Sequence, residues 1–238
     1  MEPMDLGGSS GAHSSNQDVR NGPEEAGSKD NLLQNEYILR QLPEMICGTV
    51  QRHCTPYATT LHIRKRFFTR KVHSDIFTMK SEKCLYKCVT SADGVRDIRT
   101  IMELATGLPA LNFKTNKFRF SNRFSLRLGD SYHQIGRCVV LQTLLKTKFI
   151  FDFVDVLSMD KRRIFIKIRQ WSRSVLLYLG DPKEGGIPIA HLYPPGTASL
   201  RWGSFPNYGY DVDIAPGVDV ALVIGLILVA DDYVNVLS

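Results

Sequence analysis

The chain has 238 residues, with 30 Lys+Arg against 24 Asp+Glu, 43% apolar and 10% aromatic. That apolar share suffices for a sizeable core, and the balance excludes wholesale disorder, a collagen repeat and a long coiled coil. No window of 18 uninterrupted apolar residues occurs, so no ordinary membrane span is expected.

Residues 1–30 differ from the rest. They hold five Gly, five Ser and two Pro, with six acidic residues against Arg20 and Lys29. Such a segment buries too little apolar surface to offset its ordering entropy, so a disordered acidic tail is expected. Its charge is −4, which leaves +10 on residues 31–238 out of the +6 of the whole chain. No apolar signal region follows Met1-Glu2, and neither a myristoylation start nor a prenylation box is present. The expected location is the cytoplasm, a membrane surface reached from it, or the nucleus. Residues 31–56 read as a linker or lead-in.

From residue 57 the apolar pattern has period 2. Phe118 and Phe120 alternate with Lys117 and Arg119, and Phe124, Leu126 and Leu128 with Arg123, Ser125 and Arg127. Ile164, Ile166 and Ile168 face one way while Arg163, Lys167 and Arg169 face the other. These are half-buried strands with one apolar and one basic side. Turn signals recur at Ala92-Asp93-Gly94, Ala105-Thr106-Gly107, Leu128-Gly129-Asp130, Gly180-Asp181-Pro182 and Gly185-Gly186. About twelve strands at this spacing predict an all-β barrel or sandwich.

The cysteines are Cys47, Cys54, Cys84, Cys88 and Cys138, an odd number without disulfide-scaffold spacing. Cys84 and Cys88 fall on one strand and lie about 13 Å apart, too far to share a zinc ion. Reduced, core-facing thiols are expected, and no metal.

The exception to the strand pattern is residues 218–230, where nine large aliphatics surround a helix on every side after Pro216-Gly217. A helix apolar all round belongs inside something. Thirteen residues rise about 20 Å, short of a bilayer core, so burial within the protein is predicted. Asp219 suits the helix start as a cap, and Gly225 predicts a barrel side chain pressing on the helix backbone.

Tyr210-Asp211-Val212-Asp213-Ile214-Ala215-Pro216-Gly217-Val218-Asp219, running into Ala221-Leu222-Val223-Ile224 and Asp231-Asp232, resembles the terminal motif of the LURP-one-related proteins. Ile63-Arg64-Lys65-Arg66-Phe67-Phe68, and the stretch from Arg96-Asp97-Ile98-Arg99 to Leu108-Pro109-Ala110-Leu111, resemble that family's early strands. The resemblance covers residues 57–236. It implies the fold of the tubby C-terminal domain and the phospholipid scramblases: a closed barrel of about twelve antiparallel strands around a hydrophobic C-terminal helix.

Three basic runs recur on predicted strands: Arg64, Lys65 and Arg66 with Arg70 and Lys71; Lys114, Lys117, Arg119, Arg123 and Arg127; and Lys161, Arg162, Arg163, Lys167, Arg169 and Arg173. Tubby domains bind phosphoinositides through strand Lys and Arg, so the resemblance implies an anionic membrane surface or phosphoinositide as partner. Each cation near an anionic leaflet contributes about 1 kcal/mol. The alternative is a solvated strand face that guards against aggregation. A protein-interaction or nucleic-acid module is the rival function, with Phe67, Phe68, Phe113, Phe118 and Trp171 as stacking candidates. Lipid scrambling is a third possibility, for which the apolar run is short.

Enzyme signatures are missing. Gly129-Asp130-Ser131 with His133 resembles one lipase nucleophile block, but no His follows His191 to complete it. Outside the acidic tail there is no Gly-x-Ser-x-Gly, and there is no P-loop, Gly-x-Gly-x-x-Gly or His-Glu-x-x-His. A non-enzymatic module without cofactor is expected. Asp211, Asp213 and Asp219 correspond to the acidic segment before the scramblase helix, but as an EF-hand loop the run lacks the sixth-position Gly and the final Glu. Capping by Asp219 and solvated turn carboxylates for the other two are predicted.

Overall fold

The computed structural model describes residues 39–66, 73–78, 81–93, 96–116, 123–131, 133–142, 147–169, 174–193 and 209–237. The acidic tail, Arg70, Lys71, Lys117, Arg119, Arg173, Phe67, Phe68, Phe118 and Trp171 lie outside them.

Twelve strands form a single meander. The first six are β1 (Thr59–Arg66), β2 (His73–Thr78), β3 (Cys84–Asp93), β4 (Arg96–Glu103), β5 (Pro109–Asn116) and β6 (Arg123–Leu128). The second six are β7 (Gln134–Gln142), β8 (Thr147–Val154), β9 (Lys161–Arg169), β10 (Ser174–Leu179), β11 (Ile187–Tyr193) and β12 (Gly209–Ile214). Each pairs antiparallel with the next, and β12 returns to β1 from Thr59↔Ile214 to Arg64↔Gly209. An even strand number lets the first and last meet antiparallel, so the barrel closes and leaves no edge. The fold is the expected all-β barrel with one C-terminal helix.

The period-2 pattern becomes inside and outside. Phe149, Phe151 and Phe153 of β8 and Ile164 and Ile166 of β9 are buried inward, while Asp152, Arg163 and Lys167 face out. Gly136 on β7 is needed because Phe151 and Phe153 stack opposite it, with ring centroids 5.4 Å apart. A Cβ on Gly136 would lie 2.7 Å from the Asp152 carbonyl and would overlap the Phe151 ring.

The helix α1 (Val220–Leu237) fills the barrel, and Val220 to Ala230 are buried on every side. It is longer than the apolar run, continuing through Asp231 and Asp232. No Gly or Pro follows Ala230, so nothing interrupts the backbone ladder. Among the described residues, no helix is long and apolar enough to cross a membrane. Gly225 meets the inward Leu111 and Leu126, whose methyls would lie 3.1 and 3.5 Å from an added Cβ. The side-chain pressure read from the sequence is therefore present, and β5 and β6 supply it.

Residues 39–58 are more than a linker. They form a strap across the barrel mouth, over the start of α1. Ile46 bridges Val218 and Cys54 bridges Asp219. The strap is held at both sides: Val156 donates to the Cys47 carbonyl at 2.9 Å, and Arg52 pairs with Glu103 at 2.9 Å. Gly217, in the left-handed region at φ +81°, turns the chain into the helix and donates to the Thr55 carbonyl.

Candidate functional site

Two polar regions stand out, one inside the mouth and one on the outer wall. The inner one is centred on Asp219, which is 0% exposed. Its Oδ1 accepts from Leu222 N at 3.0 Å, capping α1 as expected. Its Oδ2 accepts from Gly48 N at 3.1 Å, Thr49 N at 2.7 Å and the Thr49 hydroxyl at 2.6 Å. Burial pushes the carboxyl above its usual range, against the pull of the Thr49 and Leu222 hydrogen bonds and of His53. Because the Thr49 proton goes to Asp219, the same hydroxyl accepts from His53 Nδ1 at 2.8 Å. His53 Nε2 lies 3.5 Å from Glu103, whose desolvation is outweighed by hydrogen bonds from Arg52 and Thr106 that hold its carboxyl below the usual range.

Cys47, Cys54 and Asp219 are, among the described residues, the one group of potential metal ligands lying within 4.8 Å of one another. Asp219 Oδ2 already accepts four hydrogen bonds, the fourth from Cys47 Sγ at 4.0 Å, so a metal there would have to displace the strap's own donors. The neighbouring Cys47, burial and the Asp219 charge all push the Cys54 thiol up, which opposes the thiolate a metal requires. The residues fit a structural latch better than a metal centre. None of the five cysteines is in a disulfide.

Asp211 and Asp213 are not solvated turn carboxylates. Both lie on β12, where outward positions meet neighbouring strands. His62 Nδ1 sits 2.7 Å from Asp211, and the Thr60 hydroxyl donates to Asp213 at 2.7 Å. The motif's alternation, apolar Val212 and Ile214 each following one of the two acids, carries the signal for a strand.

The outer wall of β6 to β9 carries the cations. Strand register arranges it in three rows. Arg123 faces Val139, then Ile150, then Phe165; Leu141 faces Lys148, then Lys167; Arg137 faces Asp152, then Arg163. Asp152 is the acid within those rows, and Arg163 Nε donates to it at 2.5 Å. Arg137, Lys148 and Lys167 have no ion pair among the described residues. A groove of about 1100 Å³ opens beside the Arg137–Asp152–Arg163 row and reaches the turn between β10 and β11, lined by Arg137, Asp152, Lys161, Arg163, Asp181 and Glu184 among others.

The predicted basic residues therefore separate. Arg123, Arg127, Arg163, Lys167 and Arg169 point outward on this wall, which spans four neighbouring strands and about 15 Å. Arg64 lies on β1, four strands from β9 and five from β6, opposite Asp75. Lys65 and Arg66 share that strand. Arg162 is in the inward file beside Phe153, at the rim, where it bridges Glu44 of the strap and Asp160. Its even position, shared with Ile164 and Ile166, already distinguishes it from Arg163. Arg137 and Lys148 escaped the sequence reading because each is isolated in its own strand, and only closure of the wall brings them to the others. Of the stacking candidates, Phe113 is buried in the core. Ser131 of the lipase-like block donates to the Leu128 carbonyl at 2.6 Å, as part of the β6–β7 turn.

A closed twelve-stranded meander around a hydrophobic helix, with cations on the outer wall of β6 to β9, defines this protein as a barrel scaffold. The LURP-one-related family model matches residues 59–231, from the first strand into the helix, and the chain belongs to that family. The strap precedes the matched span. No curated protein and no solved structure matches the chain.

Proposed function

We propose that this protein is a non-enzymatic module whose β6–β9 wall adsorbs to anionic lipid at a membrane surface. The observation that carries this is the placing of Lys148 directly opposite Lys167, flanked by Arg137, Arg163 and Arg123 on four successive strands. Like charges in cross-strand register are destabilising, so their retention asks for an anion outside the chain. Five or six cations at about 1 kcal/mol each give measurable adsorption that weakens with salt. Outward positions on β2 and β12, either side of β1, suit this less: Asp75 and Asp211 are buried. The barrel serves as a rigid carrier, and the helix stays inside it.

Sedimentation with phosphatidylserine-containing and pure phosphatidylcholine vesicles tests the proposal. Binding to the former alone, lost at high salt and in K148E/K167E, is expected. Equal behaviour towards both vesicles, or a salt-sensitive shift of DNA with none for lipid, would overturn it in favour of a nucleic-acid or protein-interaction role.

A further inference from the structure

The turn joining β8 to β9 runs Asp155-Val156-Leu157-Ser158-Met159-Asp160, and its apolar side chains point into solvent. Val156, Leu157 and Met159 are 38%, 42% and 73% exposed. The turn is nevertheless firmly built. Asp155 is buried, and its Oδ1 accepts from Leu157 N at 2.9 Å and Ser158 N at 3.2 Å. Met159 N donates to the Asp155 carbonyl, and Asp155 N to the Asp160 carbonyl. On its other side, Asp155 Oδ2 accepts from Cys47 N at 3.0 Å, which fastens the turn to the strap. Met159 has φ +61°, a conformation that favours Gly or Asn, yet the position holds a long thioether. Three large apolar groups are thus held outward on a fixed backbone, where docking them costs little further ordering.

The hairpin that carries this tip is basic. Residues 147–169 include Lys148, Lys161, Arg162, Arg163, Lys167 and Arg169 against Asp152, Asp155 and Asp160, a net +3. Apolar tips above a cationic shaft match the depth profile of an anionic membrane, whose charged headgroups overlie the acyl boundary. A protein pocket would need no cations along the strands behind it. We propose that the β8–β9 turn inserts Val156, Leu157 and Met159 at the headgroup–acyl boundary while the shaft's cations rest on the headgroups. This builds on the lipid-surface proposal, adding where contact is made and that part of it is apolar.

The test uses the full chain with an environment-sensitive fluorophore on Met159→Cys, in a Cys84→Ser background that leaves only buried native thiols. A matched label on Leu104→Cys, in the exposed β4–β5 turn, is the control. With vesicles of equal parts phosphatidylcholine and phosphatidylserine, a blue shift at 159 and none at 104 is expected. M159D and L157D should each weaken vesicle binding about tenfold, with an unchanged near-ultraviolet spectrum as the check on folding. Vesicle binding without a shift at 159, or undiminished in M159D and L157D, would overturn insertion and leave surface adsorption standing. Absence of vesicle binding altogether would overturn both.

Discussion

The Thr49 hydroxyl donates to Asp219 Oδ2 at 2.6 Å across 170 residues of chain, and so ties the strap to the start of the central helix. Asp219 satisfies donors from both, and its loss strands several of them in a site without water access. D219A should cost about 3–5 kcal/mol, combining a lost helix cap with buried unsatisfied N–H groups. Urea unfolding measures it; a change below about 1 kcal/mol would mean the strap contributes little.

The same carboxyl makes stability depend on pH. Its folded pKa lies above the unfolded value, so its contribution is fully present below the unfolded carboxylate range and is lost as pH rises through the folded pKa. D219N cannot titrate. The stability of the wild type minus that of D219N should therefore fall as pH rises above the unfolded carboxylate value of about 4. Urea midpoints of both proteins across that range provide the check.

Lys148 and Lys167 oppose each other for no structural benefit visible in the barrel. Replacing either, as in K148T or K167T, should raise stability by about 0.2–1 kcal/mol. Each should at the same time lower affinity for anionic vesicles about fivefold. Thermal unfolding and sedimentation on the same samples would show the two effects moving in opposite directions; a variant that is less stable and binds equally well would contradict the role given to this pair.

Glycines on two elements should respond differently. G225A adds a methyl against flexible Leu111 and Leu126 side chains while gaining helix propensity, so a change within about 1 kcal/mol is expected. G136A meets the Asp152 carbonyl and the Phe151 ring on a closed wall and should cost about 3 kcal/mol or more. Chemical unfolding of both variants compares them directly.

Thiol reactivity should follow burial. Cys47, Cys54, Cys88 and Cys138 are shielded, and burial pushes Cys138 up to about 12. Cys84 is half-buried at the start of β3. One thiol should react rapidly with a disulfide reagent in the folded protein, and all five after denaturation.

Much of this fold was legible because its two periodicities are clean. Ile164, Ile166 and Ile168 announce a wall, the aliphatics from Val220 to Val229 announce its filling, and Gly225 marks where the two touch. The strap was not legible. Residues 39–58 have no period, since they are held by backbone bonds to Asp219, Asp155 and Gly217, whose positions depend on the finished barrel. The candidate site was half legible for a related reason: alternation gives the face of each cation, but only strand order tells which faces adjoin. Arg64 and Arg163 look equivalent in sequence and lie four strands apart.

Because α1 follows every strand in the chain, the ribosome releases the whole shell before the element that gives it a dry interior. Until that last segment appears, twelve strands of half-oily ribbon have nothing to wrap, and β1 must wait for β12 before the ring can shut. Such long-range pairing folds slowly and leaves nascent chains sticky. Truncation just before Val220 should accordingly give aggregates that occupy chaperones, and a stop codon there would act as a loss of the entire protein.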